Sequence, residues 1–130
     1  MSTPRLLVVD SDPVRLMLLA DRLRSDGYDV TAAVTGEHVI ESLEADPPDL
    51  AILGPSIAPG DDATVAGWIR SRATAPILHL RADSPEPIRR AGRGPAVADR
   101  SLIAPFDHAD VLAAIDELLV RFAAGSDREP

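Results

Sequence analysis

The chain has 130 residues, 13 basic and 21 acidic side chains and no cysteine, which describes one acidic domain able to bury roughly two thirds of its unfolded surface. All 13 basic residues are arginine, and lysine, asparagine and glutamine are absent throughout, so Schiff bases, phosphate-loop lysines, disulfides and thiol chemistry are excluded. A net charge of -8 repels phosphate backbones, and no apolar run approaches the ~20 residues of a membrane span, so the expectation is a cytoplasmic domain that binds neither nucleic acid nor membrane.

Arg5 to Val9 form an apolar run that ends at Asp10-Ser11-Asp12-Pro13. The run predicts a strand buried on both faces, and Asp12-Pro13 predicts a capped helix start. Leu16, Leu19, Ala20 and Leu23 then make one apolar stripe, stopped by Gly27. Tyr28 to Val34 reads as a second strand, and Gly36 to Ala45 as a helix that Pro47-Pro48 prevents from continuing. Leu50 to Leu53 is the third strand. Gly54 to Gly60 holds two glycines and two prolines and reads as a loop, after which Asp61 and Asp62 open a helix with Val65, Trp68 and Ile69 inward.

Pro76 to Leu80 is the fourth strand. Residues 83 to 100, with three prolines, two glycines and four arginines, are the least readable stretch, and one short helix is expected between Glu86 and Ala91. Leu102-Ile103 predicts a brief fifth strand, and Asp107 caps a last helix bearing Val111, Ile115, Leu118 and Phe122. Residues 1–123 are thus expected to form the domain, with 124–130 a polar tail or the start of a linker. Five alternations of strand and helix imply a doubly wound, five-stranded parallel sheet of the flavodoxin-like type with helices on both faces. In such sheets ligands sit beyond the carboxyl ends of the strands near the switch in strand order, which directs attention to Asp10 to Asp12, Val34, Gly54, Arg81 and Ala104.

In order and spacing, these residues resemble the receiver domain of bacterial two-component response regulators from Arg5 to about Phe122. The resemblance is carried by Val8-Val9-Asp10 with Asp12-Pro13, Gly27-Tyr28, Pro48-Asp49-Leu50, Pro59-Gly60 with Asp62, Pro76-Ile77 with Leu80, and Pro105-Phe106-Asp107. It implies phosphoryl transfer from a kinase histidine to an aspartate after strand 3. Two acids after strand 1 that help hold Mg²⁺, a hydroxyl after strand 4 and a lysine after strand 5 would assist. This chain departs from that pattern. Asp10 fills the first acidic position, but Ser11 takes the second, with Asp12 beside it. Gly54 stands at the acceptor position, or Pro55 if the loop's extra residue is placed earlier. Arg81 replaces the hydroxyl, Ala104 the lysine, and Ser101 the aromatic of the switch position. The expectation is a degenerate or pseudo-receiver with no catalytic residue, no metal and no cofactor, acting through phosphorylation-independent protein contacts in two-component signalling.

Several residues carry sharper readings beside plain ones. Asp10 and Asp12 read as a solvated acid and a helix cap more readily than as cation ligands. The Arg81 guanidinium is expected to pair with Asp10 or Asp12, standing in for metal and lysine, against the plain reading of a solvent-facing side chain. His38, His79 and His108 lack metal-ligand spacing and read as structural or surface residues, while Ser11 and Ser56 have no base partner for nucleophilic work. Arg89, Arg90 and Arg93, with Leu112 and Leu119 off the core stripe of the last helix, form a candidate interface for a signalling kinase, an effector or a second copy. Two rival readings remain: a relay receiver with an unusual acceptor such as Asp61 or Asp62, and a small-molecule or anion sensor using a pocket bounded by Gly54, Arg81 and Ala104.

Overall fold

A computed structural model describes residues 3–34, 36–57, 61–81 and 98–127 of the chain. The elements are β1 (Arg5–Val9), α1 (Pro13–Ser25), β2 (Asp29–Ala33), α2 (Gly36–Ala45), β3 (Leu50–Leu53), α3 (Asp61–Arg72), β4 (Ile77–Arg81), β5 (Arg100–Ile103) and α4 (His108–Asp127). The strands pair in parallel in the order β2-β1-β3-β4-β5. This is the doubly wound arrangement expected from the alternation. The short helix expected between Glu86 and Ala91 lies outside the described residues.

Local chemistry accounts for the element ends. Asp12 accepts the N–H groups of Val14 and Arg15 through its carboxylate, and Pro13 opens α1, which satisfies donors that the first helical turn leaves orphaned. Gly27 ends the turn after α1 at φ 102°, a left-handed conformation that favours glycine. Asp107 caps α4 in a reciprocal box: its Oδ1 accepts the Asp110 N–H and its own N–H donates to Asp110 Oδ2, each at 3.0 Å. This helix runs on to Asp127, past the point where a polar tail was expected. A lone Gly125 costs a helix only ~1 kcal/mol, and no proline interrupts before Pro130.

Because side chains alternate along a strand, the sheet separates two cores. Leu6, Val8, Leu50, Ile52, Leu78 and Leu80 face α1 and α4, packing on Leu16, Leu23, Val111, Ile115 and Leu118. Leu7, Val9, Ala51, Leu53 and Ile77 face α2 and α3, packing on Val39, Leu43, Val65 and Ile69. Trp68, expected inward, is half-buried against this second core.

Two aspartates set the register at the amino-terminal edge of the sheet. The Asp49 N–H donates to the Arg5 carbonyl at 2.7 Å and its carboxylate accepts the Arg5 N–H at 2.8 Å, tying β3 to β1. Asp99 makes the same pair of bonds with Ile77, at 2.9 and 2.8 Å, tying β5 to β4. The β1–β3 and β4–β5 pairs thus each start from a two-bond bracket at the edge opposite the carboxyl ends.

Candidate functional site

In the order β2-β1-β3-β4-β5 the connection direction reverses between β1 and β3, so their carboxyl ends form the crevice where such sheets bind ligands. Asp10 follows β1 and Gly54 follows β3. The Gly54 N–H donates to the Val9 carbonyl at 2.7 Å, which draws the two strand ends together.

Asp10 does not face solvent. It is 2% exposed, and its Oδ1 accepts the N–H groups of Asp12 at 3.3 Å and Ser56 at 3.2 Å. A Cβ added to Gly54 would fall on Asp10 Oδ2, 2.6 Å from its Cγ and 2.9 Å from its Cβ. A side chain at position 54 therefore requires the Asp10 carboxyl to shift from the space it occupies beside Gly54. The expected solvated acid at Asp10 is therefore corrected: it is a buried group satisfied by two backbone donors.

The remaining pocket residues disperse. Ser11 is exposed, and Asp12 is spent on the α1 cap. The expected ion pair between Arg81 and Asp10 or Asp12 is absent, although all three residues are described. β4 is separated from β1 by β3, about 10 Å at the usual strand spacing, and both carboxylates are already committed to backbone donors. Arg81 is half-buried on the same side of β4 as His79. The Ala104 N–H donates to the Arg81 carbonyl at 2.9 Å, so Ala104 continues the β4–β5 pairing. Ser101 is exposed on β5, in register with His79.

The resemblance implies a Mg²⁺ ion, and the residues present do not fit one. A hard cation of that size requires near-octahedral oxygen ligands. Asp10 Oδ1 is held by two N–H groups, Oδ2 is turned to Gly54, and Asp12 caps a helix. Among the described residues, no group of three His, Asp or Glu side chains is arranged to hold a metal ion.

His79, expected to be structural or on the surface, is buried at 8% exposure, with Nε2 3.8 Å from Asp62 Oδ2. Burial lowers its pKa from 6.5, Asp62 opposes that shift, and Arg81 adds to it. The reading of His79 as structural agrees with this burial, and its partner Asp62, on α3, is brought to it only by the fold. His108 Nε2 lies 2.7 Å from Asp26 Oδ2, joining the first turn of α4 to the end of α1.

The surface offers a second feature. A groove of about 270 Å³ runs between α1 and the start of α4, lined by Arg15, Leu18, Leu19, Arg22, Phe106 and Val111 among others. Val14 and Leu18, the latter lining it, are 68% and 67% exposed, and Met17 beside them is 46% exposed, an open apolar strip on α1. Of the expected interface, Arg89, Arg90 and Arg93 lie outside the described residues, while Leu112 and Leu119 are half-buried and packed against the α1/α4 core. Their line on the last helix is thus less open than expected, and the exposed apolar side chain there is Val120.

No family model matches the chain. Its sequence is 36% identical over 126 residues to the transcriptional regulatory protein CseB of Streptomyces coelicolor, covering 94% of this chain and 53% of that protein. It is 32% identical over 119 residues to the transcriptional regulatory protein PdtaR of Mycobacterium tuberculosis, covering 91% of this chain and 58% of that one. The chain thus spans about half the length of these curated relatives. Among solved structures, the response regulator TrrA of Thermotoga maritima, determined with Mg²⁺ and BeF, superposes with a TM-score of 0.73 at 28% identity, covering 89% of this chain and 99% of that one. The same regulator in complex with the histidine kinase ThkA superposes with a TM-score of 0.69 at 29% identity, covering 90% and 99%. The chain thus has the receiver-domain fold, and the relatives and structural neighbours it matches are response regulators.

Proposed function

We propose that this receiver domain does not take up a phosphoryl group and works as a protein-contact module in two-component signalling, without enzymatic activity of its own. The observation that carries the reading is the end of β3: Gly54 and Pro55 stand there, neither has a nucleophilic oxygen in its side chain, and the neighbouring Asp10 carboxyl is buried against Gly54. The chain also has no lysine anywhere, so no ammonium stabilises a transferring phosphoryl group. The sensor reading loses support because the space bounded by Gly54, Arg81 and Ala104 is not empty: Asp10 fills its Gly54 corner. The relay reading through Asp61 or Asp62 is weakened by the position of Asp62, which sits beside the buried His79 at the start of α3.

Protein contact is supported by the open strip Val14 and Leu18 on α1 and by the groove beside it. A histidine kinase engages a related regulator in a solved complex, so a signalling kinase is one partner of the right class, alongside an effector or a second copy. The acidic charge of -8 supports contact with proteins rather than nucleic acid, and no helix among the described residues is long and apolar enough to cross a membrane. Incubation with Mg²⁺ and acetyl phosphate, followed by intact mass spectrometry, is expected to leave the mass unchanged. A labile gain of one phosphoryl group overturns the reading.

A further inference from the structure

We propose that Asp10 is a built-in occupant of the site: its carboxylate fills the space of the side chain missing at Gly54 and, by holding the Ser56 and Asp12 N–H groups, sets residues 54–57 after β3 in one arrangement without any added ligand. Three independent observations converge on this. The Asp10 side chain is 2% exposed, so it cannot be exchanging freely with solvent. The Cβ position of residue 54 coincides with the Asp10 carboxyl, so the two residues compete for one volume. The two donors come from different segments: Asp12 N–H begins the α1 turn and Ser56 N–H belongs to the loop after β3, 46 residues from Asp10.

An acceptor that bridges two segments at a switch point constrains both, because moving either leaves a part-buried donor without its partner. In a receiver whose loops answered to an incoming anion, those N–H groups would be open to it. Here they are already answered from within the chain. The site is self-liganded, and residues 54–57 after β3 are insensitive to small phosphodonors for a structural reason. The inference rests on the reading that no phosphoryl group enters the site, but its test does not involve phosphorylation.

The test is a double-mutant cycle on the full chain, followed by urea unfolding, with Gly54→Ala, Asp10→Gly and the pair. Gly54→Ala is expected to lower the unfolding midpoint clearly in the native background and to cost little in the Asp10→Gly background, where the added methyl enters vacated space. Additive costs would overturn the proposal while leaving the unphosphorylated reading intact, just as a phosphoryl gain would overturn that reading and leave the cycle informative. Amide exchange supplies a second readout. The Ser56 N–H is expected to be protected in the native chain and in Asp10→Asn, which keeps an acceptor oxygen, to exchange faster in Asp10→Gly, and to regain protection when formate or acetate is added. If the glycine variant does not fold, the native chain decides alone: Ser56 protection comparable with the β3 amides supports the occupant, and exchange at the rate of an open loop overturns it.

Discussion

At the scale of single residues, the most informative side chains are those whose partners lie far away in sequence. His79 is buried beside Asp62, and its pKa is lowered chiefly by that burial. As pH falls, the unfolded chain therefore binds the proton before the folded one does. The stability linked to His79 is complete above 6.5 and is lost as pH drops through 6.5 toward the lowered folded-state value. Urea melts on either side of 6.5 should show this loss, and His79→Gln should flatten it. An unchanged pH profile in His79→Gln would assign the loss to other groups. Asp10, by contrast, acts through shape and hydrogen bonding, and Gly54 is its counterpart: an absent side chain is a requirement of its neighbour.

At the scale of elements, two helix glycines with opposite environments make a direct comparison. Gly36 opens α2, and a Cβ there would stand 2.7 Å from Trp68 Cη2 and 2.8 Å from Cζ3, atoms of a rigid ring on α3. Gly67 lies exposed within α3, and a Cβ there would meet nothing within 4 Å. Helix propensity alone favours alanine over glycine by up to ~1 kcal/mol in a helix interior. Gly67→Ala is therefore expected to stabilise by about 0.5–1 kcal/mol, and Gly36→Ala to destabilise by about 1–3 kcal/mol because the α2–α3 contact is overpacked. Thermal or urea midpoints of the two variants check both signs. A stabilising Gly36→Ala would mean that Trp68 moves aside without cost.

At the scale of the whole molecule, the sheet is a partition between two cores that share no side chain. Leu16 belongs to the α1/α4 side at 1% exposure and Ile69 to the α2/α3 side at 0%. Truncation of each to alanine is expected to cost about 2–5 kcal/mol. Because the sites lie on opposite faces without a common partner, the costs should add to within about 0.5 kcal/mol, while unfolding stays a single transition because both cores hang on the same five strands. Two separate transitions would show that the halves unfold independently. The two ends of the strands also differ: aspartate brackets occupy the amino-terminal edge, at Asp49 and Asp99, and the crevice between β1 and β3 lies at the other.

Much of the fold is legible in the sequence because its signals are local. Asp12-Pro13, Gly27, Pro47-Pro48 and Asp107 punctuate the chain by their own backbone chemistry, and each marks an element boundary in the structure. The loss of lysine is equally plain, since a residue type absent from all 130 positions needs no alignment. What the sequence could not determine is which group fills a space. Arg81 and Asp10 look like natural partners when strand ends are read one by one, yet β3 lies between them and Asp10 is claimed by Ser56. Asp49 and Asp99 read as ordinary acids until the parallel register sets them opposite Arg5 and Ile77. The sequence by itself determined the doubly wound receiver fold and the absence of lysine, because both follow from local patterns and counts. Only the tertiary structure decided that Gly54 and Asp10 share one volume, because that contact exists only once two strands whose paired residues lie 44 apart in sequence end side by side.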